Sequence, residues 1–386
     1  MRKIILFFAL LTWAGNSPAQ KARDWYRPDT RVPYRNVNGK LIVDVEVNGH
    51  TRPFVFDTGA TTTVITDIFC RELNPDTVGV TKTHDSGGQF HALPTVRLDT
   101  LKIGDWVITR NIAAVTPAGN PIFECYGISG IIGSDILQKK AVRIQSRDSV
   151  LLFADNAEKA WQLNRKEGEK VKIWGSRPFF NIRLSRGEHK ASHWILIDTG
   201  AENYSCRLIG HFDYLAKQGV LDTLKKGYGR FSIGLHGTEP EGEQWAAIAG
   251  RVHIGDAVLE QVPVASTQAP VSFLGTFLLE YGDMTVDYKN KRFYYEPFSD
   301  PVSLAGRLPK RFSILWIRGE CVVGTIWDEE TALLISPGDR IISFGDQVPR
   351  EYDYCDFITG KAKAFGPDMV MKVETQAGDI VEFTFK

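Results

Sequence analysis

A mostly β protein, built as two pseudo-symmetric lobes followed by a small C-terminal α+β unit, is predicted by three observations. The tetrapeptide Asp-Thr-Gly-Ala occurs twice, at Asp57-Thr58-Gly59-Ala60 and Asp198-Thr199-Gly200-Ala201, 141 residues apart. Each copy follows an apolar run, Phe54-Val55-Phe56 in the first case and Trp194-Ile195-Leu196-Ile197 in the second. The landmarks after each copy recur in the same order, so the doubled word belongs to a doubled structural unit.

Ile131-Ile132-Gly133 ends 76 residues after Asp57, and Phe273-Leu274-Gly275 ends 77 residues after Asp198. Val142-Arg143-Ile144 answers Met284-Thr285-Val286, and Leu151-Leu152-Phe153 answers Phe293-Tyr294-Tyr295, both at an offset of 142. Ile103-Gly104-Asp105 answers Ile254-Gly255-Asp256 at an offset of 151. Extra residues therefore precede that point in the second half, and extra residues follow it in the first, within Thr116 to Ile128.

Residues 1–19 read as a secretory signal peptide. Arg2-Lys3 precede a short apolar core from Ile4 to Leu11, and Ser17-Pro18-Ala19 offers a cleavage site. The apolar stretch is too short for a comfortable membrane span, and no later segment is long enough, so no span is expected after signal removal. Export to a periplasmic or extracellular space follows. Residues 20–35 form a polar leader. The first lobe occupies 36–155. Within it Leu41 to Val47 alternates with period two, and Asn48-Gly49-His50 supplies the turn. A short helix is expected from Thr62 to Leu73, and another over Gly133-Ser134-Asp135-Ile136-Leu137-Gln138. A charged linker spans 156–172, the second lobe 173–298, and a second linker 299–309.

Residues 310–386 form a third unit. Val322-Val323-Gly324-Thr325-Ile326 reads as a strand, followed by Ile335-Ser336-Pro337-Gly338-Asp339-Arg340-Ile341-Ile342. Two more strands follow, at Val370–Val373 and Ile380–Phe385. The second of these runs, Ile335 onward, resembles the bacterial PDZ signature. That resemblance implies a PDZ-like domain receiving a peptide as an added strand, with Trp316 to Cys321 as the candidate carboxylate-binding loop.

The rest of the composition sets limits. Lys plus Arg and Asp plus Glu both number 46, giving a formal net charge of zero. That balance gives no electrostatic case for nucleic acid or an anionic membrane surface. The eight histidines form no ligand cluster, so neither a metal nor another cofactor is expected. Five cysteines lack metal-ligand spacing. In an oxidising compartment one or two disulfides could form, with Cys321 and Cys355 the favoured pair because they share the C-terminal segment, although all five could equally be small buried hydrophobes.

An apolar strand leading into Asp-Thr-Gly, followed later by an apolar-apolar-Gly strand, resembles the aspartic peptidase superfamily, and within it the retropepsin-like bacterial members. Residues 36–298 carry this pattern twice. A single Asp-Thr-Gly also suits an ordinary turn, whereas two copies with strand and glycine context do not reduce to turn composition. The resemblance implies a two-lobed acid-protease β-barrel fold. Asp57 and Asp198 are then the catalytic pair, supported by Thr58, Gly59, Ala60, Thr199, Gly200, Ala201, Gly133 and Gly275. It also implies that Thr58 and Thr199 hydrogen-bond across to the opposite loop. The second lobe departs from the pattern: Gly275-Thr276-Phe277 lacks the aspartate found in Gly133-Ser134-Asp135.

The chemistry requires two matched carboxylates. Two carboxylates a few ångströms apart cannot both ionise cheaply, so the pair holds one proton over a wide pH range. The ionised member can take a proton from an attacking water, while the protonated member can stabilise the developing oxyanion. Pepsin-like relatives usually carry Ser or Thr where Ala60 and Ala201 stand; without that hydroxyl the pair should titrate higher, giving a mildly acidic to near-neutral optimum. Glycine-rich hairpins suited to covering a substrate occur at Thr83 to Phe90, with His84, Gly87 and Gly88, and at Phe231 to Gln244, with Gly234 and Gly237. Asp85-Ser86-Gly87-Gly88 also mimics a serine-protease nucleophile motif, but no matching histidine motif precedes it. The expected molecule is a monomeric endopeptidase acting on peptide or protein. The alternative is a non-catalytic protein that binds peptides in the same cleft.

Overall fold

The computed structural model describes residues 30–84, 90–117, 120–231, 233–234, 237–305, 311–349, 354–361 and 369–385. The expected signal peptide lies outside the described residues, as does the leader up to residue 29.

The first lobe is an eight-stranded sheet. Its order is Arg35–Val37, Lys40–Val47, His50–Phe56, Gly130–Ile132, Val64–Thr66, Trp106–Thr116, Phe90–Ile103, Thr77–His84. Lys40–Val47 also pairs with Phe90–Ile103 through Glu46 and Lys102, which curls the sheet towards a barrel. Alternation in the sequence becomes alternation in burial: Val43, Val45 and Val47 are buried, while Asp44 is exposed. Asn48 and Gly49 both take positive φ, 49° and 86°, the conformation a two-residue hairpin turn demands.

The second lobe repeats this order strand for strand. Glu169–Trp174 pairs with Arg177–Arg186, which pairs with His189–Ile197, which lies parallel to Phe273–Leu274. Tyr204–Arg207, Ala257–Thr267, Gly242–Ile254 and Leu221–Gly229 complete the series. The closing contact recurs too, between Arg177–Arg186 and Gly242–Ile254.

A third sheet floors both lobes. Ala141–Gln145 from one repeat pairs antiparallel with Gly282–Asp287 from the other, and Val142 opposes Val286. Val150–Ala154 and Arg292–Pro297 flank that pair. The two segments recognised as equivalent in sequence thus pair with each other about the pseudo-twofold axis. One continuous buried apolar cluster runs through both lobes and the floor, including Phe56, Phe153, Phe180, Ile197 and Phe293.

Local differences from expectation have physical reasons. The segment expected to be helical from Thr62 begins as the strand Val64–Thr66, and the helix runs only over Asp67–Leu73, capped by the Thr66 hydroxyl. The segment at Gly133–Gln138 contains a single 3-10 turn, Ile136–Lys139. Thr30–Pro33, assigned to the polar leader, is an edge strand on Val150–Ala154. The stretch 156–172 is ordered: a helix, Ala157–Trp161, is capped by Asn156, and the strand Glu169–Trp174 opens the second lobe.

The C-terminal unit has its own core, centred on Phe312, Val323, Ile341, Phe344 and Val373. Five strands, Phe312–Ile317, Glu320–Ile326, Arg340–Phe344, Met369–Glu374 and Ile380–Phe385, pair in sequence order. Two short helices, Glu329–Ala332 and Tyr354–Ile358, accompany them. Trp316 to Cys321, the candidate carboxylate loop, is a two-residue hairpin turning at Arg318 and Gly319. Its backbone is committed to the ladder on both sides.

The favoured cysteine pairing is corrected. Cys355 is bonded to Cys125, and Cys321 is free and buried in the C-terminal core. Cys125 sits on the helix Pro121–Tyr126 of the first lobe, 230 residues from its partner in sequence. The short helix Tyr354–Ile358 packs Tyr354 and Phe357 on Trp316 of its own unit and sets Cys355 against that first-lobe helix. There the Ile358 carbonyl accepts from Tyr126 Oη at 2.7 Å and Asn38 Nδ2 at 2.8 Å.

Candidate active site

Asp57 follows the strand His50–Phe56, and its N–H donates to the Ile132 carbonyl at 2.9 Å. Asp198 follows His189–Ile197, and its N–H donates to Leu274 at 3.0 Å. In both lobes the glycine strand therefore carries the aspartate backbone to the end of its strand. The chain then turns so that each carboxylate faces its own loop. Asp57 Oδ1 accepts from Gly59 N at 2.7 Å and Ala60 N at 3.1 Å, and Asp198 Oδ1 accepts from Gly200 N at 2.9 Å.

The two loops meet across the pseudo-twofold axis. Thr58 N donates to Thr199 Oγ1 at 3.0 Å, and Thr199 N donates to Thr58 Oγ1 at 3.1 Å. Each hydroxyl then donates to a carbonyl of the opposite strand, Thr58 to Ile197 at 2.7 Å and Thr199 to Phe56 at 2.8 Å. Both threonines are buried. Simple β-branched packing would leave these polar atoms unpaired; here every one is used. The Thr58 carbonyl is held from below by the Ser134 hydroxyl, itself bonded to Tyr288 Oη at 2.8 Å.

The glycines are required by close approach. A Cβ on Gly59 would lie 2.4 Å from the Asp198 carboxyl carbon, and one on Gly200 would lie 2.5 Å from that of Asp57. Each glycine thus backs the carboxylate of the other lobe. Gly133 and Gly275 are equally confined, against the Thr62 backbone and the Ala201–Glu202 backbone.

Electrostatics couples the two acids. Each keeps part of its surface open while protein crowds the remainder. Loss of water raises the Asp57 pKa, against the Gly59 amide, the Lys40 charge and the Ala60 amide. Asp198 is pushed up to about 7, first by burial and then by the negative charge of Asp57. Burial and mutual repulsion thus both disfavour a doubly ionised pair.

Two cations beside this pair carried no motif. Lys40 Nζ donates to the Gly200 carbonyl at 2.5 Å and lies 3.9 Å from Glu202. Burial lowers the Arg177 pKa, and the charges of Asp198 and Asp57 oppose that shift. A signal for them exists: each follows a two-residue turn, Asn38-Gly39 or Gly175-Ser176, ahead of an aspartate strand.

The missing aspartate of the second lobe also has an account. Asp135 accepts from Thr63 Oγ1 at 2.9 Å in the first lobe. In the second, Thr276 Oγ1 donates to the Ala201 carbonyl at 3.1 Å and ties the same two segments.

The expected covering hairpins differ. Thr77–His84 and Phe90–Ile103 form the first, with His84 opposite Phe90; its tip, with Gly87 and Gly88, lies outside the described residues. The second pairs Leu221–Gly229 with Gly242–Ile254, and Gly229 opposes Gly242. Above it Ile233-Gly234 pairs with Gly237-Thr238. The buried Glu239 carboxylate accepts from Phe231 N at 2.7 Å and Gln244 Nε2 at 3.0 Å. This hairpin is also attached to the C-terminal unit. Tyr228 pairs with Ile326, Phe231 packs edge-on against Trp327, and Ser313 Oγ donates to Arg230 O at 3.1 Å. Among the described residues, no group of three or more His, Cys, Asp or Glu is placed to hold a metal ion.

With this geometry in view, comparison with known proteins is informative for the first lobe. A family model described as aspartyl protease matches residues 43–136, a span that contains Asp57, its threonine and glycine, and the glycine strand through Gly133. A search of curated proteins found no match. The β-rich fold and the family match support an aspartic protease, a hydrolase acting on peptide bonds.

Proposed function

We propose that the chain is an exported aspartic endopeptidase in which Asp57 and Asp198 form one catalytic dyad. The observation that carries this reading is the reciprocal loop geometry: each carboxyl is bonded to its own loop, backed by the other lobe's glycine, and fixed by the crossed threonine bonds. Held this way the two acids share one proton. The ionised member takes a proton from a water as it attacks the peptide carbonyl. The protonated member donates to the oxygen that becomes negative, and later the proton passes to the leaving nitrogen. Only the dyad and a water are needed for the chemistry. Both halves come from one chain, which supports a monomer.

The absence of a hydroxyl at Ala60 and Ala201 leaves the raised pair uncorrected, which supports a mildly acidic to near-neutral optimum. Export is supported by the apolar N-terminal segment and by a disulfide of the kind that oxidising compartments preserve. A PDZ-like reading of the C-terminal unit is supported by its Pro337-Gly338-Asp339 turn. There Gly338 N donates to Val323 O, and the buried Asp339 carboxylate accepts from Ser336 and Gln376. We place it as a recruiting or regulating module for peptide.

The test is cleavage of a peptide library across pH by the wild-type chain, Asp57→Asn and Asp198→Asn. Cleavage by the wild type alone is expected. A wild type that cuts nothing would leave a non-catalytic peptide binder, and full activity in either variant would rule out a shared dyad.

A further inference from the structure

Lys40 and Arg177 occupy equivalent positions by ladder register. Lys40 stands two residues before Ile42, which opposes Val55; Arg177 stands two residues before Phe179, which opposes Leu196. Val55 and Leu196 each precede their aspartate by two residues. Both cations follow a two-residue turn with positive φ at both central positions: Asn38 and Gly39, then Gly175 and Ser176.

Each of these turns rests on the opposite lobe's aspartate loop. A Cβ on Gly39 would lie 2.6 Å from the Glu202 side chain, and Lys40 bonds the Gly200 carbonyl. Reciprocally, Ser176 Oγ donates to the Thr61 carbonyl at 2.8 Å, and Gln138 Nε2 donates to the Ser176 carbonyl at 2.8 Å.

The symmetry breaks at the counterion. Glu202 follows Asp198 by four residues and sits 3.9 Å from Lys40. The residue four after Asp57 is Thr61. The turn before Arg177 therefore meets a threonine where the turn before Lys40 meets a carboxylate. No ion pair forms to Arg177 among the described residues, and its Nε is buried without a partner. Its guanidinium rests 5.6 Å from the centroid of the Phe179 ring. A half-buried guanidinium that feels the two aspartates but has no carboxylate at ion-pair distance among the described residues is a binding group for a planar anion.

We propose that Arg177 is a specificity-determining residue that binds a substrate carboxylate, either an acidic side chain near the scissile bond or the peptide's terminal carboxylate. This rests on the peptidase reading for its substrate class. Thr61 leaves the place of the missing counterion to the substrate, whereas Glu202 closes the matching place at the other end.

The test uses the full chain carrying Asp57→Asn, so that peptides bind without being cut. Fluorescent peptides would differ only as Glu or Gln at one position, or as free acid or amide at the C-terminus, with binding read by anisotropy. The acidic form is expected to bind about ten-fold more tightly at one position or at the terminus, the scale of one charge-assisted hydrogen bond. Arg177→Gln should bring that ratio to about one, Arg177→Lys should keep only part of it because an ammonium lacks the planar fork, and Thr61→Glu should abolish it by restoring a counterion. A preference for Glu identifies a side chain, and a preference for the free acid identifies the terminus. A ratio of one at every position in the parent, or a ratio that survives Arg177→Gln, would overturn the assignment. Cleavage assays on the unsubstituted chain separate the two proposals. If that chain cuts nothing while the binding ratio depends on Arg177, the peptidase reading fails and this one stands.

Discussion

The two lobes share one strand order, yet they are held differently at their outer edges. The first lobe's hairpin, Thr77–His84 with Phe90–Ile103, extends from the barrel through its own ladder. The second lobe's hairpin is fixed from within by Glu239 and from outside by the C-terminal unit, where Gly227 and Gly229 pass too close to Ile326 and Gly324 to admit a side chain. The first lobe meets that same unit elsewhere, through Cys125 and Tyr126. The repeat thus preserves what the reaction centre needs twice and varies what surrounds it. The lesson is that equivalence should hold strictly at the aspartate loops and fail outside them.

The strongest way to break that comparison is at the acids. Asp57→Asn and Asp198→Asn should each lower kcat by about a thousand-fold or more, equally, because one shared proton needs both carboxyls. Unequal losses in steady-state assays would show that the halves do not act as one pair.

The next largest effect concerns folding. Thr58→Val leaves the Ile197 carbonyl and the Thr199 N–H without partners, and Thr199→Val leaves the Phe56 carbonyl and the Thr58 N–H so. Each should destabilise the protein by about 2–4 kcal/mol, since each strands two buried polar groups. Chemical denaturation would measure both, and near-equal losses are expected. The Cys125→Ser/Cys355→Ser double variant, by contrast, removes a one-sided connection. A loss of about 2–4 kcal/mol is expected, concentrated in the C-terminal unit's attachment. Hydrogen exchange should show faster exchange in Tyr354–Ile358 with little change at the aspartate loops.

Smaller effects depend on pH. Asp198 titrates higher folded than unfolded, so its contribution to stability is fully present below the ordinary carboxylate range and is lost as pH rises towards about 7. Asp198→Asn should therefore raise the melting temperature by a few degrees at pH 8 relative to wild type, and by less at pH 5. Smallest of all, Ala60→Ser would add a donor to the ionised form of Asp57, lowering its pKa. The acidic limb of the pH–rate profile, where Asp57 must be ionised, should move to lower pH by about one unit or less.

Much of this architecture was legible in the sequence because repetition converts weak local signals into strong ones. The aspartates, threonines and glycines were readable because their spacing, strand context and glycine strands occur twice. The pairing of Val142 with Val286 is the direct spatial form of a sequence offset. What was not readable depends on long-range closure. Nothing near Cys355 in sequence indicates Cys125, because the link needs the helix Tyr354–Ile358 to reach across to another lobe. Lys40 and Arg177 look like ordinary residues at the start of strands until the opposite loop is placed beside them. Thr30–Pro33 read as leader because its ladder partner, Val150–Ala154, lies more than a hundred residues away.

The unlike residues at positions 61 and 202 have one more consequence. In a twofold dimer of identical chains every substitution is made in duplicate, so a carboxylate at one end of the groove would always be matched by one at the other. Joining the halves covalently removes that constraint. An extended peptide has a direction, and if Arg177 takes a substrate carboxylate as proposed, a groove whose other cation is already paired with Glu202 is no longer indifferent to which way the peptide lies.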